Sequence, residues 1–278
     1  MDGSHTSPLA APLSAEALGT TKMLARVEGA VGWMTFNNPA RRNAVSLDMW
    51  KAIPRILGHF VQDPAIRVIA VTGAGDRAFV SGADISEFET VRSTPEDVME
   101  YERIAGLAST ALKEAGKPTV AVIRGWCIGG GLATALNCDL RFAADTAKFG
   151  VPAGRLGLGY AMPGVKTLVD LVGPSFAKEI FFTARHFSAA EALTMGLINR
   201  AVPEAALDEF VAGQFETMAE NAPMTLHTLK RTVAALAKGA PTDDKGIAQL
   251  VTDCFASADY REGRQAFMEK RKPRFTGT

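Results

Sequence analysis

Two short apolar runs constrain this chain most. Arg67-Val-Ile-Ala-Val-Thr-Gly73 and Thr119-Val-Ala-Val-Ile123 are β-branched, bounded by turn residues and too short for helices, so both read as buried strands. Strands of that kind need helices packed over them. The sequence supplies these in alternation. Leu24–Val27 and Val31–Phe36 read as two strands of a hairpin, with Glu28-Gly29 as the turn. Ser46 caps a helix running through Trp50, Ile53, Ile56, Leu57 and Phe60, which Pro54 is expected to kink or restart. Thr94 caps a second helix, with Pro95 in its first turn, that reaches about Gly116. Leu140 to Ala144 is the next strand. From about Pro163 the pattern turns helical. Ser188-Ala-Ala-Glu191 forms a capping box, a short strand covers Asn199 to Val202, and a helical tail runs from Glu204 to about Arg271. The expected architecture is therefore α/β: a loose leader over 1–21, an α/β core over 22–203 and a helical segment over 204–278. Strand-plus-helix recurs at irregular spacing, which is compatible with a spiral of βα units.

Composition narrows the function classes. The 278 residues carry 30 Lys+Arg and 30 Asp+Glu, for a formal net charge of zero. A nucleic-acid binder usually shows a basic stripe. Here the sole basic cluster is the terminal Lys270, Arg271, Lys272 and Arg274. Neither a nucleic-acid partner nor a membrane surface is expected. The cysteines, Cys127, Cys138 and Cys254, form no C-x-x-C pair, which predicts no zinc site and a reducing, cytoplasmic setting. The N-terminus lacks the basic start and apolar stretch of a signal peptide, and no apolar run is long enough to span a bilayer. The four histidines are scattered, so no metal is expected.

Two segments have the makings of a site. Gly129-Gly130-Gly131 lies between a buried strand and a small-residue helix expected over Leu132 to Asn137. Free N–H groups at such a helix start suit an anion or an oxyanion formed during reaction, and glycine lets a ligand oxygen come close. Close packing of helix on strand would explain the same glycines. Phe79-Val-Ser-Gly-Ala-Asp-Ile85 is the second segment, turning at Gly82 and entering a short helix at Asp84. The Ala83 N–H is a second donor in prospect, and two donors on separate loops make an oxyanion hole. Asp84 reads better as a helix cap than as an acid. Gly73-x-Gly75-x-x-Ala78 matches a dinucleotide fingerprint but opens no helix, and is set aside.

Ser81-Gly82-Ala83-Asp84-Ile85, Gly125-x-x-x-Gly129-Gly130-Gly131, Cys138-Asp139 and Phe149-Gly150-x-Pro152 resemble the enoyl-CoA hydratase/isomerase (crotonase) superfamily. Asn43-Ala44, Ala190-x-x-Ala-x-x-Met-Gly-Leu-x-Asn199 and Gln265–Lys272 extend the likeness from about Leu24 to Phe275. The resemblance implies a spiral of ββα units, a helical C-terminal trimerisation segment, and assembly as trimers or dimers of trimers. It implies an acyl-CoA thioester as substrate, with coenzyme A present only as part of that substrate and no separate cofactor. By motif, the Ala83 and Gly130 amides hold the thioester oxygen as an enolate develops. Gly82, Asp84, Ile85, Gly129 and Gly131 flank them on the substrate side. Lys270 matches a lysine near the CoA phosphates.

The departures bear on the reaction. Family hydratases carry two glutamates that activate water; the matching positions here are Ala133 and Ala153. The segment Arg155-Leu-Gly-Leu-Gly-Tyr160-Ala-Met-Pro-Gly164 resembles the methylmalonyl-CoA decarboxylase branch, which implies a reacting role for Tyr160. That branch has a histidine where this chain has Ala83. Trp126 and Met162 are expected to line an acyl pocket, and Arg155 to attract a second carboxylate or form a surface ion pair. The favoured expectation is an acyl-CoA lyase or isomerase. A hydratase with its base at Asp84 or Glu87, and a non-catalytic acyl-CoA binder, stand beside it.

Overall fold

The computed structural model describes residues 13–278. Its strands in chain order are β1 (Met23–Glu28), β2 (Val31–Phe36), β3 (Val68–Gly73), β4 (Ala78–Val80), β5 (Thr119–Ile123), β6 (Trp126–Ile128), β7 (Leu140–Ala144), β8 (Lys148–Gly150), β9 (Phe187–Ser188) and β10 (Arg200–Val202). They form two sheets. The larger has the order β1-β2-β3-β5-β7-β10, with β1 antiparallel to β2 and the other pairs parallel. The smaller has the order β4-β6-β8-β9, with only β9 antiparallel.

Each turn of the spiral takes one strand from each sheet. β3 leads to β4, β5 to β6 and β7 to β8, and a helical stretch follows each pair. The helices of this part in chain order are α1 (Ala15–Leu18), α2 (Leu47–Gln62), α3 (Phe88–Val91), α4 (Pro95–Glu114), α5 (Gly130–Leu136), α6 (Ala153–Leu156), α7 (Met162–Thr183) and α8 (Ala189–Thr194). The tail adds α9 (Leu207–Ala219), α10 (Pro223–Ala237), α11 (Lys245–Ala256) and α12 (Ala258–Glu269). This is the expected ββα spiral with a helical C-terminal segment.

The central strands alternate between two cores. Ile69, Val71, Ala121 and Ile123 join the cluster built by α2 and α4, while Val68, Ala70, Val120 and Val122 face Leu207, Val211 and Phe215 of α9. Burial on both faces is what their unbroken β-branched sequences demand. Helix α2 buries Met49, Trp50, Ile53, Ile56, Leu57 and Phe60 at three- and four-residue steps, and continues as one helix past Pro54. Of the expected leader, the first twelve residues lie outside the described residues. The rest is packed: Ala15–Leu18 is helical and Leu18 is buried against the core.

Glycines permit the close steps between sheets. Gly125, at φ +59°, joins β5 to β6 where a Cβ would lie 2.1 Å from the Arg77 carbonyl oxygen. At Gly131 a Cβ would lie 2.2 Å from the Val80 carbonyl oxygen, so α5 packs backbone to backbone on the end of β4. The far end of α5 is held by Arg141 of β7, a guanidinium only 3% exposed. Its Nε donates to the Leu197 carbonyl at 2.8 Å and Nη1 to the Cys138 carbonyl at 2.8 Å. Substituting Gly131→Ala is expected to destabilise the protein by about 3 kcal/mol through overpacking, read as a lower midpoint in chemical denaturation.

Candidate active site

The two glycine-bearing segments expected to cooperate are neighbours in space. Ser81–Ala83 leaves β4 and pairs with the loop before α2: the Val45 amide donates to the Gly82 carbonyl at 2.8 Å, and the Asp84 amide to the Val45 carbonyl at 2.8 Å. That ladder uses the amides on alternate sides and leaves Ala83 N–H pointing away from it. On the second segment, Gly129 at φ +54° donates its amide to the Gly150 carbonyl of β8 at 2.9 Å. The next amide, Gly130, opens α5. Among the described residues neither the Ala83 nor the Gly130 amide donates a hydrogen bond. A Cβ on Gly130 would sit 3.8 Å from the Ala83 nitrogen and 3.9 Å from the Gly82 carbonyl carbon. The two unpaired donors thus flank one small space. Such a pair can stabilise an oxygen that gains negative charge.

Supports behind this space are polar and fully used. Asn43, 1% exposed, donates to the Ala78 carbonyl at 2.7 Å and the Ala74 carbonyl at 3.0 Å, and so fixes the entry to β4. Asp139 accepts from the Thr119 amide at 2.7 Å and from Lys230 at 2.8 Å, tying the end of α5 to β5 and α10. Burial pushes the Cys138 thiol up to about 12 and that of Cys127 higher still, so neither serves as a nucleophile.

Asp84 and Glu87 have structural partners. Asp84 is 6% exposed, and its Oδ1 accepts from Ser86 N at 3.1 Å, Ser86 Oγ at 2.7 Å and Arg41 at 3.2 Å. Burial works to raise its pKa, but the Ser86 hydrogen bonds and the Arg41 charge outweigh burial and hold it below the ordinary value. Glu87 accepts from the Leu47 amide at 3.1 Å and from Lys22 at 3.5 Å. Glu87 ties the loop after β4 to the start of α2, and Asp84 ties it to Arg41 in the segment before α2. Ala133 is half-buried within α5, and Ala153 is buried as the first residue of α6. Neither supplies an acid or a base.

The other expected site residues lie in different settings. Tyr160, in the loop before α7, is 39% exposed and packs edge-on against Phe181 with ring centroids 5.4 Å apart. Burial of its phenol raises the pKa, and the nearby Glu102 carboxylate adds to this against the opposing charge of Arg92. Trp126 stacks edge-on with His186 at 4.9 Å, at the start of β6, while the Gly130 end of the site meets a different indole. Trp50 Cζ2 lies 3.6 Å from a Cβ placed on Gly130. The sequence marks Trp50 only as a core position of an amphipathic helix, and nothing local signals this role. Ile85 is 60% and Met162 82% exposed, so both stand at the surface of this chain. Lys270 is exposed as the C-cap of α12, and Arg155 is exposed with no ion pair among the described residues.

Comparison with known proteins gives this geometry a context. The model of the enoyl-CoA hydratase/isomerase family matches residues 26–278. The chain is 32% identical over 249 residues to the short-chain-enoyl-CoA hydratase of Clostridium acetobutylicum, covering 88% of this chain and 94% of that one. It is 34% identical over 246 residues to the crotonyl-CoA hydratase of Syntrophomonas wolfei, covering 86% and 92%. A crystal structure of an enoyl-CoA hydratase/carnitine racemase from Magnetospirillum magneticum superposes with a TM-score of 0.90 at 34% identity, over 93% of this chain and 97% of that chain.

The Asp84 contacts carry a pH signature. A carboxyl with a lowered folded-state pKa stabilises the fold above its unfolded value, near 3.9, and loses that contribution as the pH falls through the folded value. Wild-type protein is expected to lose stability below about pH 4 more steeply than Asp84→Asn. Thermal melts from pH 3 to pH 6 would measure the difference.

Proposed function

Since this chain belongs to the enoyl-CoA hydratase/isomerase family, we propose that it acts on an acyl-CoA thioester whose carbonyl oxygen is received by the Ala83 and Gly130 amides. The observation that carries the reading is the pairing of two unbonded amides with alanine at both positions, 133 and 153, where family hydratases carry glutamate. This arrangement supports an enolate without supplying a base to create it by proton removal. Decarboxylation suits such a site. The Cα–carboxylate bond breaks, CO₂ leaves, and the bonding pair passes into the thioester enolate. A proton then returns to Cα. Tyr160 is the proton-bearing side chain of the segment that resembles the decarboxylase branch, with a phenol whose pKa its surroundings raise.

Hydration is the second reading, favoured by the names of the relatives from Clostridium acetobutylicum and Syntrophomonas wolfei. It requires a base outside positions 133 and 153, and both Asp84 and Glu87 are already engaged. Mass spectrometry of a thioester panel separates the two. Loss of CO₂ from malonyl-type thioesters, slowed at least tenfold in Tyr160→Phe, is expected. Wild-type protein should add water to crotonyl-CoA slowly, and the double variant Ala133→Glu, Ala153→Glu should accelerate hydration by about 10²-fold, the lower end of general acid–base catalysis. Efficient hydration by the wild type would overturn the reading.

The C-terminal helices support assembly into a homotrimer or a dimer of trimers. Leu229, Val251, Phe255, Phe267 and Met268 leave large apolar surfaces exposed around a groove of about 870 Å³ on α10–α12. Contiguous exposed apolar surface of this kind marks an interaction site. Light scattering is expected to give three or six times the chain mass, and Phe267→Glu to shift it towards the monomer.

A further inference from the structure

One buried hydroxyl beside the site has an unspent proton. Tyr101, on α4, is 4% exposed. Its oxygen accepts a hydrogen bond from Trp50 Nε1 at 2.8 Å. Among the described residues that hydroxyl donates to no acceptor. Trp50 is the indole whose same edge reaches the Gly130 end of the oxyanion space, with Cζ2, two bonds from Nε1, 3.6 Å from a Cβ on Gly130. Arg92 lies over the Tyr101 ring at 3.8 Å and pairs with Glu102 at 3.2 Å. The charges of that same pair reach the Tyr160 phenol. The Tyr101 hydroxyl and the Gly130 backbone thus meet the same edge of one indole, which sets the phenol beside the space that the two amides flank.

A phenol in this position has one donor to place. A plain alkyl chain packed against it leaves this buried O–H without an acceptor, the cost of an unmade hydrogen bond. An oxygen on the acyl chain meets it. Sites built to hydrogen-bond a substrate group discriminate strongly against the analogue that lacks it. We propose that Tyr101 is a specificity-determining residue whose hydroxyl donates to an oxygen on the acyl group, so that the protein selects CoA thioesters of oxygenated acyl chains over plain alkyl ones. The proposal rests on the acyl-CoA reading above and adds to it the chemical class of the acyl group. The guanidinium over the ring lets that oxygen belong to a carboxylate as well as to a neutral carbonyl.

Calorimetric titration with four-carbon thioesters of matched length tests this: butanoyl-CoA, 3-oxobutanoyl-CoA and succinyl-CoA, with any turnover followed separately by mass spectrometry. The wild type is expected to bind at least one oxygenated thioester about tenfold more tightly than butanoyl-CoA. Tyr101→Phe keeps the ring under Arg92 and removes only the oxygen. It should bring that ratio to within about threefold while leaving butanoyl-CoA affinity unchanged or improved. Equal wild-type affinity for all three ligands would overturn the proposal, and this arm needs no variant to fold. So would a Tyr101→Phe protein that weakens all three equally, since the hydroxyl would then act only by holding Trp50. Trp50→Phe, which leaves the Tyr101 hydroxyl in place, should retain the preference; its loss there alone would assign the selection to the indole. Failure of the wild type to bind any CoA thioester would overturn the acyl-CoA reading itself, which is a separate outcome from equal binding.

Discussion

Contact of the α5 backbone with the end of β4 is the constraint on which the site depends. No side-chain atom fits between Gly131 and Val80, and little fits between Gly130 and Ala83. The two sheets must therefore step past each other at a fixed separation, which Gly125 allows at the preceding turn. Asn43 holds the approach to β4, and the Gly129 amide is spent on β8. What remains unpaired is one amide on each segment. The site is in this sense a remainder: it consists of the donors that neighbouring strands and helices do not consume.

The large sheet was legible because five of its six strands are five or six residues long and its central strands, β3 and β5, are apolar on both faces. Thr94 and Ser188 announced their helices through side-chain caps that the structure contains, with Thr94 Oγ1 accepting from the Asp97 amide and Ser188 Oγ from that of Glu191. The small sheet was not legible. Ala78–Val80, Trp126–Ile128 and Lys148–Gly150 are three residues each, too short for a period to declare itself. Their pairing depends on strands supplied by three different turns of the spiral. Helix α5 likewise begins at Gly130 and not at the expected Leu132, because packing against β4 rewards glycine where propensity alone would not.

The same division runs through the site. Glycine spacing pointed to the segments around Ala83 and Gly130, since close backbone approach leaves a mark in composition. Side chains that arrive by tertiary packing leave none. Trp50 and Tyr101 sit on separate helices, 51 positions apart in sequence, and are joined through one hydrogen bond. Met162, expected to line an acyl pocket, is the first residue of α7 and is exposed on this chain.

Arg141 gives the arrangement a further property. A buried cation that is satisfied by main-chain carbonyls, with no carboxylate required, anchors α5 without asking anything of the acyl side. The receiving amides are also main chain, and a change of side chain at most positions leaves an N–H in place. Inheritance can therefore rewrite the side chains around the Ala83 and Gly130 amides, and lose or regain a glutamate at 133 or 153, while the two amides persist. Chemistry in such a scaffold drifts by exchanging its side-chain partners around a receptor that ordinary substitution rarely erases.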